Sequence, residues 1–189
     1  IDFLRTKKIP YNITEYLENN RDLSEFYKDV TFTIRIMVIN DKITSPQIAN
    51  AYLRIATKKT GNTDNIGSGG VCARINLETG EIFEPEKLRN HIITPCPVHP
   101  DTGAIIRGVI PNWREIKEGV KDVSRYICQL EYMGFDVVAT EDSFKILEIN
   151  THQDLHRYHH YGSEVHRYFM EKVDERLSKR GRDNHDFQK

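Results

Sequence analysis

The stretch that leaves this chain the fewest options runs from Gly134 to Asn150, Gly-Phe-Asp-Val-Val-Ala-Thr-Glu-Asp-Ser-Phe-Lys-Ile-Leu-Glu-Ile-Asn. Two runs rich in Val, Ile, Leu and Phe flank the polar Glu141-Asp142-Ser143, a pattern that predicts paired antiparallel strands rather than a helix. Side chains alternate across a strand, so Glu148 and Asn150 share one face. A three-residue loop at Glu141 to Ser143 would pair Thr140 with Phe144 and, counted outward, set Asp136 opposite Glu148. Most other positions on both faces are apolar, which predicts a hairpin inside a layered domain, where carboxylates without partners are costly. A divalent cation resolves that cost. An all-oxygen set with only two carboxylates suits Mg²⁺, which completes its octahedron with water and substrate phosphates, and this points to a nucleotide. The competing reading is an ordinary amphipathic hairpin whose acids are solvated or paired with Arg, and spacing alone does not separate the two.

The 189-residue chain is long enough for one domain with a real core or for two small lobes. Its net charge of −1 gives no overall field to recruit nucleic acid or an anionic membrane. No apolar run is long enough to span a bilayer, and no signal peptide is evident. Cys72, Cys96 and Cys128 are scattered without CxxC spacing, which argues against a disulfide framework or a zinc site and for a reducing cytoplasm. The sequence opens on Ile1 instead of Met and reads as the middle of something, so an upstream portion is expected.

In chain order, Asn12 to Glu18 suggests a short strand ending in a connector. Arg21 to Val30 suggests a helix, with Asp22 near its start. Thr31 to Ile39 predicts a strand with Phe32, Ile34, Ile36 and Val38 on one face and Arg35 on the other. After a turn at Asn40-Asp41-Lys42, Ala49 to Lys58 predicts another strand, carrying Arg54 beside Asn50 and Tyr52. If the faces of Arg35 and Arg54 coincide, they form an anion-binding floor; otherwise each pairs with a protein acid. Lys58 to Gly70 is a polar, glycine-rich loop of a length that suits a closing lid, though it matches no phosphate-binding fingerprint. Val71 to Leu77 and Glu81 to Glu84 bracket another hairpin, and Lys87 to Ile93 is ambiguous.

His99-Pro-Asp-Thr-Gly103 reads as a turn with Asp as side-chain cap and Gly at positive φ, ahead of a strand from Ala104 to Val109. Asn112 and Glu115 have capping-box spacing before a long helix with Ile116, Val120, Val123, Ile127 and Leu130 inward, which Gly134 would end. His152, His156 and His160 recur every four residues, but no further ligand completes a zinc set, and a polar segment beside the site is the plainer reading. Ser163 would cap a final helix with Val165, Phe169, Val173 and Leu177 inward. Residues 179–189 form a polar, frayed tail.

Taken in order, Ile-Thr-Glu-Tyr-Leu from Ile13, Thr-Phe-Thr-Ile-Arg from Thr31, the Arg54 strand, Asn65 to Gly70, His-Pro-Asp-Thr-Gly with Ile-Pro-Asn-Trp, Gly-Phe-Asp-Val-Val-Ala-Thr-Glu-Asp and Leu-Glu-Ile-Asn resemble the ATP-grasp superfamily. The similarity is nearest to its sugar-transfer, polysaccharide-associated branch. Each motif is weak alone; the ordered set is not. The resemblance implies an α+β fold, the ATP-grasp C-terminal catalytic subdomain, mainly antiparallel β-sheet flanked by helices, over residues 1–178. It implies Glu15, Tyr16 and Leu17 as the hinge that reads adenine, with Asp22 near the ribose. Arg35 and Arg54 would hold phosphate or an acyl phosphate, and Asn65, Gly69 and Gly70 would lie in the loop that closes over substrate. Asp136, Glu148 and Asn150 would bind Mg²⁺ on the ATP phosphates.

Ser143 stands where the family has a turn glycine, and the family's ATP-contacting small subdomain would precede Ile13. The implied activity is an ATP- and Mg²⁺-dependent ligase that makes an acyl phosphate from a small-molecule carboxylate and joins it to an amine or sugar-linked acceptor. A non-catalytic ATP-binding module and a kinase-like phosphotransferase are the alternatives. Substrate identity is open, as is oligomeric state, a homo-oligomer included.

Overall fold

A computed structural model describes residues 6, 14–40, 45–89, 92–151 and 164–186. The runs of β-branched and aromatic residues form strands β1 (Thr33–Ile39), β2 (Gln47–Ile55), β3 (Val71–Ile75), β4 (Glu81–Arg89), β5 (Ile92–Pro95), β6 (Gly108–Val109), β7 (Tyr132–Ala139) and β8 (Phe144–Asn150). They make one sheet in the order β5-β4-β3-β2-β1-β7-β8, with β6 also on β4. Every pairing is antiparallel. The described residues also form α-helices α1 (Arg21–Ser24), α2 (Trp113–Tyr126) and α3 (Glu164–Asp186). The expected class, α+β with a mainly antiparallel sheet, is what forms.

One face of the sheet carries the core. Ile34, Ile36, Leu53, Phe135 and Val137 are fully buried there and meet Trp113, Ile116 and Val120 of α2. Two glycines set how closely the layers approach. A Cβ on Gly119 of α2 would lie 2.4 Å from Phe144 Cζ, and one on Gly80, at φ +78°, would lie 2.7 Å from Trp113 Cγ. Trp113 is held in place by its indole N–H, which donates to Leu77 O at 3.1 Å. The opposite face carries Arg35, Arg54 and Asp136, and α3 covers its far end: Tyr132 stacks on Tyr168 at 5.9 Å and meets Phe169 edge-on at 5.0 Å.

Several expectations are corrected. Residues 14–20 form no strand, and the helix after them is a single turn, Arg21–Ser24, N-capped by Asn20. The pattern from Lys87 onward resolves into the end of β4 and the exposed edge strand β5. The strand expected from Ala104 shrinks to Gly108–Val109 plus a bridge from Ile105 to Val98. The capping box at Asn112 does not form: Asn112 sits at φ +55° and its side chain donates instead to Ser143 O at 3.2 Å. The helix stops at Tyr126, and Gly134 lies within β7 opposite Met37 and Asn150. Ser143 needs no left-handed backbone; among the described non-glycine residues only Glu84 and Asn112 have positive φ.

In the His99 turn, Gly103 takes positive φ as expected. The cap, however, is His99 itself, whose Nδ1 accepts from Asp101 and Thr102 N–H at 3.3 Å, while Asp101 reaches across to Lys58 N. Its Nε2 faces the acceptor Ala56 O at 2.8 Å, so that nitrogen carries the proton. In α3, Val165 is buried and Phe169 half-buried, but Val173 and Leu177 are exposed, and the helix continues to Asp186, past Ser178. The turn at Asp41-Lys42, Ser163 and the histidines at 152, 156 and 160 lie outside the described residues.

Candidate active site

Strand register builds the site. β1 against β7 sets Arg35 opposite Asp136, and β7 against β8 sets Asp136 opposite Glu148. β1 against β2 sets Thr33 opposite Arg54 and Arg35 opposite Tyr52. The hairpin reaches this register by an unexpected route. Its tight end pairs Ala139 with Phe144, one residue out of step with the three-residue-loop count, and a bulge between Asp136 and Val137 restores the alignment of Asp136 with Glu148. Leu147, the extra residue on the bulged strand, is left exposed.

Asp136 is buried, and Arg35 grips both of its carboxylate oxygens, through Nε to Oδ1 and through Nη2 to Oδ2 at 3.0 Å. Arg54 Nη2 lies 3.4 Å from the same Oδ2 and 3.0 Å from Oδ1 of Asp64, a second buried acid. The faces of the two arginines therefore coincide, and in this state both are engaged by protein acids. Glu148 and Asn150 stand beside them, with the Asn150 amide donating to Glu148 Oε1 at 2.9 Å. Burial pushes the Asp136 carboxyl upward, against the pull of Arg35 and Arg54. The Asn150 hydrogen bond, with Asp136 next, holds Glu148 below the usual carboxylate range.

This donor set fits Mg²⁺. Asp136, Glu148 and Asn150 offer only hard oxygen ligands from one face, and two neighbouring carboxylates gain by sharing a dication. A carboxylate has about four lone-pair positions, so Asp136 can serve a cation while keeping its bidentate contact with Arg35. Among the described residues no three His, Cys, Asp or Glu side chains converge, so they assemble no soft-metal centre.

Just past the end of β7, at Thr140, four residues and about 13 Å at strand rise from Asp136, a cleft of about 690 Å³ opens, walled by Glu15, Tyr16 and Leu17 on one side and Thr140, Asp142 and Lys145 on the other. The 14–20 segment is tied to the hairpin by Asn20 N–H donating to Ala139 O at 2.8 Å. Glu141 then accepts from Asn20 Nδ2 at 3.2 Å, Arg21 N–H at 3.1 Å and Arg21 Nη2 at 2.7 Å. Asp22 is exposed and stands outside the cleft wall.

The Lys58 to Gly70 loop is not an open tether. It folds into two 3₁₀ turns, Lys58–Thr60 and Ile66–Ser68, over buried Thr60, Asp64 and Ile66. The Asn65 side chain accepts from Gly67 N–H at 2.9 Å, and Gly69 sits at φ +110°. A Cβ on Gly70 would lie 3.1 Å from the carbonyl oxygens of Ile55, Asp64 and Asn65, so only glycine closes the base of the loop without a shift. Asp64, Thr33 and Glu141 were not singled out from the sequence. A polar residue in a polar loop or turn, or a threonine at the start of a strand, carries no mark of the burial or contacts it gains on folding.

The family model for the sugar-transfer associated ATP-grasp proteins matches residues 6–174. The chain belongs to that family. No curated protein and no solved structure matches it. The ATP-grasp assignment brings ATP-dependent, ligase-type chemistry on small molecules, in a sugar-transfer setting, in a family that binds ATP and typically Mg²⁺. Among the described residues of this ATP-grasp chain no helix is long and apolar enough to cross a membrane.

Proposed function

We propose that this chain is the catalytic portion of an ATP- and Mg²⁺-dependent ligase that activates a carboxylate as an acyl phosphate and passes it to an amine or similar acceptor. The setting we infer is polysaccharide or cell-surface sugar metabolism, with the reaction run in the cytoplasm. The observation that carries the reading is the meeting of Asp136, Glu148 and Asn150 with Arg35 and Arg54 on one sheet face, on the same hairpin whose turn end, at Thr140 and Lys145, lines the cleft with Glu15, Tyr16 and Leu17.

Asp136, Glu148 and Asn150 would hold Mg²⁺, which when bound offsets phosphate charge. Glu15, Tyr16 and Leu17 would position adenine, so that the triphosphate runs along β7 toward the acids. Arg35 and Arg54 would offset the charge that builds as a substrate carboxylate oxygen bonds to the γ-phosphorus and ADP departs. The acceptor then bonds to the acyl carbon, and the bond to phosphate breaks. No side-chain nucleophile is required; the protein positions and stabilises.

Because both arginines already have protein acids, a non-catalytic ATP-binding module is the reading to beat. Mg²⁺-dependent ADP release that rises on adding a carboxylate together with an amine supports the ligase. ATP binding without ADP release under any such pair would sink it, and a phosphorylated final product would indicate a kinase instead.

A further inference from the structure

Arg54 stands between two acids, and they do not hold it equally. Its Nη2 is 3.0 Å from Asp64 Oδ1 and 3.4 Å from Asp136 Oδ2. Asp64 is itself fixed: its Oδ2 accepts the Thr33 backbone N–H at 2.7 Å and the Thr33 hydroxyl at 2.5 Å. The Thr33 oxygen in turn accepts from Arg54 Nε at 2.7 Å. Thr33 at Nε and Asp64 at Nη2 thus share one edge of the guanidinium, with Asp136 the more distant acid at Nη2.

We propose that Asp64 is a positioning residue that holds Arg54 back from Asp136 and so keeps Asp136 available to a divalent cation. This rests on the reading of Asp136, Glu148 and Asn150 as the cation site. A guanidinium and a metal ion seek the same carboxylate oxygens, and two positive charges a few ångströms apart repel. Arg35 already occupies both oxygens of Asp136, so the hold of a second guanidinium decides how much of that carboxylate a cation can use. With the charge of Asp64 removed, Asp136 is the acid Arg54 turns to. Asp64 lies inside the Lys58 to Gly70 loop, next to Asn65, so the same contact seats that loop against the site.

The test uses the full-length protein with Mn²⁺ as the probe, first alone and then with ADP, following free Mn²⁺ by electron paramagnetic resonance. Asp64→Asn keeps an oxygen for Thr33 but turns an uncharged amide NH₂, which cannot accept, toward Arg54, and it is expected to weaken Mn²⁺ binding about tenfold or more. Adding Arg54→Gln to that variant removes the competing guanidinium and is expected to restore affinity, a recovery that a merely structural role would not produce. In the nucleotide-free arm, Arg54→Gln alone is expected to bind Mn²⁺ at least as tightly as wild type, which keeps the test decisive if Asp64→Asn fails to fold. Unchanged affinity in Asp64→Asn, no recovery in the double variant, or weaker binding in Arg54→Gln each overturns the role. Absence of Mn²⁺ binding by the wild type overturns the cation site itself, and this role with it.

Discussion

Replacing Asp136 with Ala tests whether the centre of the site is also a structural keystone. The Arg35 and Asp136 side chains are 14% and 5% exposed, so the pair is desolvated on both sides. Removing one partner of such a pair leaves a charge the fold cannot hydrate, and losses of about 3–5 kcal/mol are usual. Arg54 keeps Asp64, which puts the expectation near the lower end, about 3 kcal/mol. For a chain of this size that lowers the melting temperature by about 6–12 °C.

Denaturant unfolding followed by circular dichroism measures it, with Glu115→Ala as reference, since the Arg114–Glu115 pair is exposed and screened by solvent. Replacing both members with apolar residues, Arg35→Met with Asp136→Val, should recover most of the lost stability without recovering Mg²⁺-nucleotide binding. An Asp136→Ala protein within about 1 kcal/mol of wild type would refute the desolvated-pair account.

Three further outcomes are expected. Gly80→Ala forces a Cβ to 2.7 Å from Trp113 Cγ at φ +78°, and the crowding and left-handed backbone together should cost about 2–4 kcal/mol, read by thermal unfolding. Glu148→Gln and Asn150→Ala should leave unfolding nearly unchanged, because both sit at the rim of the site, yet weaken Mn²⁺ binding about tenfold or more. Glu141 is held below the usual carboxylate range by the Arg21 backbone N–H and then the Arg21 side chain, so its clamp is fully present above the ordinary carboxylate pKa and is lost as pH falls through the lower folded value. Amide protection factors at Asn20 and Arg21, taken relative to the intrinsic exchange rate at each pH, should therefore fall on acidification in wild type and show no such step in Glu141→Gln; identical profiles would remove Glu141 from that role.

How far the sequence could be read depended on whether a residue's partner lies nearby along the chain. β1, β2 and the hairpin announce themselves because apolar alternation is local. The convergence of Asp136, Glu148 and Asn150 followed from alternation, with the bulge at Asp136 and Val137 compensating a turn counted one residue short. Asn112 does stand at the N-cap position that the Glu115 spacing suggested, but its side chain bonds Ser143, 31 residues on, instead of the helix, and its backbone is left-handed. Gly134 looked like a helix stop, yet β1 and β8 needed a residue between them there. β5 hid because Lys, Arg, Asn and His surround its apolar core. Asp64 was invisible for the same reason as Ser143: what makes it matter is Thr33 and Arg54, on strands that meet its loop only in three dimensions.

The extra residue in β8 ties the length of the hairpin to its chemistry. Side chains on a strand change sides with every step, so deleting Leu147, or exchanging the turn at residues 140–143 for one a residue longer or shorter, would swing either Glu148 or the apolar Phe144 and Ile146 onto the wrong surface. Natural relatives and engineered variants alike should therefore tolerate length changes here only in compensating pairs, one in the turn matched by one in the strand.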